Sequence, residues 1–228
     1  MARQPRRPTT KRSINHIRGD VFQFKNGGHN SVFMATRNGI VVVDPINRAA
    51  ASWLKSELWR RFNQPVKYVI YSHDHGDHIS GGEVFADSAI FISHVKAKMD
   101  IIAERRATPV PDVTFTNKMT LELGGKKVEF SYLGRSHSDI MIVMKFPAER
   151  VVHAVDFVTV GAVAFRDLPD SYVDEWIDSL KNLEVMDFEI LSTGHGRIGV
   201  KRDVCDFRGY MELLRDQATN LARAGHSV

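Results

Sequence analysis

Residues 73 to 78 read His-Asp-His-Gly-Asp-His. Imidazole nitrogen and carboxylate oxygen are the donors that suit zinc and similar transition metals. The segment directly follows the apolar run Val66–Tyr71. A strand that delivers such residues at i, i+2, i+4 and i+5 points them into one small volume, because the chain must turn as it leaves the sheet. A solvated polar loop explains the pattern poorly. Structural histidines usually stand alone, and charged side chains are seldom buried unless paired. The chemistry this cluster could do is metal-assisted: a bound ion lowers the pKa of its water towards neutrality and supplies hydroxide at pH 7.

Three later positions repeat the arrangement of a ligand type after an apolar strand. His137 follows Phe130–Leu133, Asp156 follows Val151–Val155, and His195 follows Phe188–Leu191. Each alone reads more readily as a capped turn; in this order behind the first cluster they form a set. Asp74 reads as a supporting or surface acid, and His153, inside a strand, as a core or edge histidine. His29 follows the Gly-rich turn Asn26–Gly28 and is either an exposed hairpin residue or a residue bordering the site. Cys205, the only cysteine, lies among Asp203, Asp206 and Arg208, far from the ligand-type motifs.

The elements that must carry these residues alternate. Val21–Phe24, Ser31–Thr36 and Ile40–Val43 read as strands joined by hairpin turns. Ala49–Phe62 has the spacing of an amphipathic helix, with Trp53, Leu54, Leu58 and Phe62 on one side. Val66–Tyr71 is a buried strand, a short helix begins near Gly81, Ala89–Ile92 is a strand, and His94–Arg106 a helix. Strands follow at 120–123, 127–132, 140–146 and 151–155, then a helix over 172–182, a strand at 189–191 and a long helix over 201–224. Both halves run strands and then helix, which hints at pseudo-symmetry without a visible sequence repeat.

The 228 residues carry a formal net charge of +4. Six basic residues, from Arg3 to Arg18, precede the first acid, Asp20, and subtracting them from +4 leaves −2 for the remainder. The body is therefore no basic nucleic-acid surface. Residues 1–18 read as a basic disordered tail and 19–228 as a single catalytic domain. No 18-residue apolar run and no signal-peptide core are present. The expected location is cytoplasmic; a periplasmic protein trimmed of its signal would read the same.

On these motifs the chain resembles the metallo-β-lactamase superfamily of metallohydrolases. The likeness rests on His73-x-His75-x-Asp77-His78, then His137, Asp156 and His195, over roughly residues 19 to 200, with Val43-Asp44-Pro45 similar as well. It implies an α/β fold: a four-layer αββα sandwich of two mixed β-sheets flanked by helices, with the metal site at one edge. It implies two Zn2+ per chain, the first on His73, His75 and His137, the second on Asp77, His78 and His195, with Asp156 as bridge. Iron or manganese suit the same donors. Asp77 would also act catalytically by orienting the hydroxide. Two positions depart from the family's pattern: Val155 stands where Gly often precedes the bridging Asp, and His137 sits in Arg-Ser-His-Ser-Asp rather than Gly-His-Thr.

The function implied is hydrolysis of an ester, thioester, lactone or β-lactam carbonyl by a metal-bound hydroxide. Asp156 resembles the glyoxalase II and lactonase branches more than the antibiotic-hydrolysing ones, although one helix after His195 leaves no room for a glutathione-thioester domain. A β-lactamase proper and a mono-iron persulfide dioxygenase are the alternatives. The expected partner is a small-molecule substrate, with no nucleic acid and no membrane; oligomeric state is open.

Overall fold

The computed structural model describes residues 10–165 and 168–226. The first half of the chain builds one sheet. Strands β1 (Arg12–Arg18), β2 (Val21–Asn26), β3 (His29–Thr36) and β4 (Gly39–Val43) form an antiparallel meander. Helix α1 (Arg48–Phe62) then crosses over to β5 (Val66–Ile70), which lies parallel to β4. A one-turn helix α2 (Gly76–Ile79) and a 3-10 turn (Gly82–Phe85) lead to β6 (Ile90–His94). Helix α3 (Val95–Ala103) and the short β7 (Val113–Phe115) complete a seven-stranded sheet in chain order.

The second half repeats the plan. Strands β8 (Lys118–Leu123), β9 (Lys126–Tyr132), β10 (Ile142–Phe146) and β11 (Val151–His153) are antiparallel. Helix α4 (Val173–Glu184) returns the chain to β12 (Ile190–Ser192), parallel to β11. The two-residue β13 (Gly199–Val200) and helix α5 (Lys201–Arg223) follow. Four antiparallel strands, a helix and a parallel strand thus occur twice, which is the pseudo-symmetry hinted at by the sequence.

Side-chain alternation along the strands makes three apolar layers, because successive residues point to opposite faces. Val41, Val43 and Ile70 of the first sheet meet Ile142, Met144 and Phe130 of the second between the sheets. Their neighbours Ile40, Val42 and Val69 face outwards onto Ala50, Leu54 and Leu58 of α1. On the other flank Met141, Val143 and Val152 pack on Trp176, Leu180, Phe207 and Met211 of α4 and α5. The result is the four-layer αββα sandwich expected. Each fully buried side chain of this size stabilises by about 1.5–3 kcal/mol against exposure. Asn47 caps α1 by accepting the Ala50 N–H at 2.9 Å, and Asn63 ends it in the left-handed region at φ 49°.

The expected tail over 1–18 needs correction. Residues 1–9 lie outside the described residues, but Arg12–Arg18 is a paired strand. Ile14 packs into the outer layer and Ile17 into the layer between the sheets. Arg12 donates to Asn26, and Arg18 reaches Glu189 beyond the second sheet's β11. With one apolar residue per face among basic ones, the strand carries no period-two signal. No helix among the described residues is long and apolar enough to cross a membrane.

Candidate metal centre

All seven residues expected as ligands meet at one edge of the sandwich, where both sheets end. Strand β5 runs out into Tyr71, Ser72 and His73; the turn then brings His75 to the N-terminus of α2, which holds Asp77 and His78. From the other sheet, His137 follows β9, Asp156 follows β11 and His195 follows β12. Backbone contacts fasten the sheets together here. The Ile142 N–H donates to the Ser72 carbonyl at 2.9 Å, and the Asn30 N–H to the Gly194 carbonyl at 2.7 Å.

The donor atoms form overlapping groups able to hold metal ions: His73, His75, His137 and Asp156; His78, Asp156 and His195; and His29, Asp77 and His195. Asp156 belongs to the first two. Its Oδ2 lies 3.2 Å from His78 Nε2, 3.7 Å from His137 Nε2 and 3.8 Å from His73 Nε2, while its Oδ1 is 3.5 Å from His195 Nε2. His137 Nε2 is 3.3 Å from His75 Nδ1.

Three of the histidines have their other nitrogen tied to an acceptor. Ser72 Oγ donates to Asp44 Oδ2 at 2.6 Å, so the His73 Nδ1–H donates to Ser72 Oγ at 2.8 Å. The His195 Nδ1–H donates to the Gly28 carbonyl at 3.1 Å, and the His75 Nε2–H to Asp170 Oδ2 at 3.1 Å. Each contact fixes a tautomer and leaves the remaining nitrogen as a lone pair facing the cluster, the usual support of a metal-ligating imidazole.

Several donor atoms of the cluster have no hydrogen-bond partner among the described residues. His73 Nε2, both nitrogens of His78 and Asp156 Oδ1 are buried without a hydrogen bond. Buried polar atoms are rarely left so, and each costs its desolvation. The charge balance points the same way. Burial opposes a charge on His78, but Asp156, Asp44 and Asp77 overcome it and push it up to about 9. Burial pushes His73 and His137 down. Burial works against ionised Asp156 too, yet His78 and the other imidazoles hold it far below the usual carboxylate range. A proton on His78 thus answers a demand for positive charge that a divalent ion would meet. These residues fit metal ions.

The supporting role of Asp44 lay outside the sequence reading, whereas Asp74, His29 and His153 were read there with more than one role open. Asp44 is fully buried, and burial raises its carboxyl to about 6. It accepts both the Ser72 N–H, at 2.9 Å, and the Ser72 hydroxyl. An acid after four apolar strand residues was the available signal. Asp74 is buried and paired with Arg106 at 2.9 Å, which pins the ligand loop from behind. His29 is no plain hairpin residue: its Nε2 is 3.1 Å from Asp77 Oδ2. His153 is buried, bonded to Ser192, and belongs to the core as expected.

Comparison with known proteins agrees with this geometry. The profile of the Metallo-beta-lactamase superfamily matches residues 25–195. The 2,4-dinitroanisole O-demethylase subunit alpha of Nocardioides sp. (strain JS1661) is 27% identical over 184 residues, covering 78% of this chain and 56% of that protein. The Metallo-beta-lactamase type 2 of Elizabethkingia meningoseptica is 26% identical over 157 residues, covering 68% and 63%. The chain therefore spans less than two thirds of the length of these relatives. Among solved structures, a metallo-beta-lactamase from Pontibacter korlensis superposes with a TM-score of 0.81 at 19% identity, covering 89% of this chain and 99% of that one. The chain belongs to the metallo-beta-lactamase superfamily.

Proposed function

We propose that this member of the metallo-beta-lactamase superfamily is a hydrolase that works with two divalent ions, zinc by preference, on the carbonyl of a small molecule. The observation that carries the reading is the convergence of imidazoles from two sheets around one buried carboxylate, with His73 Nε2 and both His78 nitrogens unpartnered among the described residues. His73, His75 and His137 would hold one ion, Asp77, His78 and His195 the other, and Asp156 both. When bound, such ions supply Lewis acidity and an acidified water for attack on a carbonyl.

The chain's own part is orientation. Asp44 and Ser72 set His73, Asp170 sets His75 and the Gly28 carbonyl sets His195. Asp77, half-exposed on the cavity wall, would accept a hydrogen bond from the water that the ions activate. The relatives' names give both a β-lactam and an aromatic ether as substrates of similar proteins. We favour ester-like or lactone carbonyls, because Asp156 joins the two donor groups.

The test is elemental analysis of the purified protein, followed by assays on a β-lactam, an acyl-homoserine lactone and a thioester with and without chelator. Two zinc ions per chain, and turnover that disappears with chelator and returns with zinc, are expected. Turnover of these substrates by metal-free protein overturns the reading. One iron per chain with oxygen consumption on a persulfide replaces it with the dioxygenase.

A further inference from the structure

His195 is the least enclosed of the five imidazoles expected to hold an ion. Its side chain is 40% exposed, against 21% for His75, 13% for His137 and 0% for His73 and His78. Core packing therefore does little to place it. Its loop, Thr193-Gly-His-Gly196, has glycine on either side of the ligand, and Gly196 stands at φ 81°. Such backbone is permissive and must be held by bonds from outside.

The carbonyls of the loop show where those bonds come from. Asn30, the second residue of β3, donates its backbone N–H to the Gly194 carbonyl at 2.7 Å. Its side-chain Nδ2 donates to the Thr193 carbonyl at 3.2 Å and to the Gly196 carbonyl at 3.1 Å. The remaining carbonyl, that of His195, accepts the Thr193 hydroxyl. Three of the four carbonyls of residues 193–196 thus end on one residue, and that residue belongs to the other sheet. An amide nitrogen has two N–H groups, and both are used here. Asn30 is 1% exposed, so water competes little for these bonds. It belongs to none of the donor groups around the ligand cluster. Its reach into the cluster runs through the backbone of His195.

We propose that Asn30 is the positioning residue for His195. It holds the loop where His195 Nε2 faces Asp156, and so sets the affinity of the ion that His195 shares with His78 and Asp156. The ion on His73, His75 and His137 is left alone. The proposal rests on the ligand set of the hydrolase reading above and on none of its substrates.

The experiment is stepwise zinc titration of metal-free, full-length protein against a chromophoric chelator. Wild type, Asn30→Asp, His195→Ala and the double variant are compared. His195→Ala identifies which of the two steps belongs to the shared ion. Asn30→Asp keeps the shape of the side chain but turns a donor into a carboxylate, which only accepts. It should weaken that same step by about 10–100-fold, the usual worth of a group that orients a ligand. The other step should move by no more than about twofold, the scatter expected between independent sites. In the His195→Ala background Asn30→Asp should add no more than about twofold, because its route to the ion is gone. A residue that merely held the fold together would weaken both ions, and would do so again without His195. If Asn30→Asp does not fold, Asn30→Ser, whose hydroxyl can still donate to one carbonyl, carries the same comparison with a smaller loss. Loss at neither ion, equal loss at both, or an undiminished loss in the His195→Ala background overturns the proposal. A titration that His195→Ala leaves unchanged overturns it together with the ligand set. Zinc binding as expected, with silence on every carbonyl substrate, defeats the hydrolase reading and leaves the role of Asn30 standing.

Discussion

The Nε2 of His29 lies 3.1 Å from Oδ2 of Asp77, across from the loop that brings His195. A carboxylate oxygen only accepts, so His29 donates and holds one oxygen of Asp77 while the other is free to turn towards an ion. His29→Ala should therefore loosen one metal and spare the other. Partners of this kind are typically worth about 10–100-fold in metal affinity. Stepwise zinc titration with a chromophoric chelator reads both sites. Loss at neither, or equal loss at both, would show that His29 does not act through Asp77.

Asp156 stands in two donor groups at once. Asp156→Ala should weaken the ion shared with His78 and His195 more than the one on three histidines, because the latter keeps three imidazoles. Zinc content after dialysis should fall from two per chain towards one. A variant that keeps two tightly held ions and full turnover would remove Asp156 from the bridging position.

Gly194 has no room for a side chain. A Cβ there would lie 2.6 Å from Val155 Cγ1, 2.8 Å from Asp156 Oδ1 and 2.9 Å from His78 Cε1. Gly194→Ala should cost roughly 1–3 kcal/mol by overpacking. Part of that cost should show as a smaller rise in Tm on adding zinc. An unchanged zinc-dependent rise would mean that Asp156 and His78 do not move to relieve the clash.

Burial pushes His153 down to about 3. Between about 6.5 and about 3 the unfolded chain holds a proton on this residue that the folded chain does not, so stability declines as pH falls through that window. The slope from one such group approaches about 1.4 kcal/mol per pH unit. Urea unfolding of metal-free protein at several pH values measures it, and His153→Gln should make the dependence shallower. An identical slope in the variant would assign the acid sensitivity elsewhere.

Removing residues 1–18 takes away β1, with Ile14, Ile17 and the Arg18–Glu189 ion pair. A drop in Tm of several degrees is expected, since losing even about 1 kcal/mol moves Tm by about 2–4 °C in a domain of this size. Removing only residues 1–9 leaves that strand intact and should leave Tm nearly unchanged. Equal Tm for both truncations would show that β1 adds nothing to the sheet.

Long elements and candidate ligand positions were legible in the sequence for one physical reason. Ile40–Val43 is a continuous apolar run buried on both faces, Val66–Ile70 is interrupted only by the exposed Lys67, and each run before a candidate ligand ends where the sheet ends. What escaped were pieces too short or too mixed to show a period: β1, the one-turn α2, β7 and β13. Asp44, Ser72 and Asp170 escaped because support of a ligand through its distant nitrogen depends on folding, not on spacing. Asp44 stands 29 positions before His73 in the chain, yet one hydroxyl separates them in space.

The two sheets come from segments that do not interleave, 12–115 and 118–200, and so do the expected ligands: four from the first, three from the second. An ion that joins His73 to His137, or His78 to His195, is therefore a rivet between two halves of one chain. Its binding energy is also adhesion between them. A chain cut near residue 116 would then behave as a two-piece sensor whose halves report, by holding together or drifting apart, how much metal surrounds them.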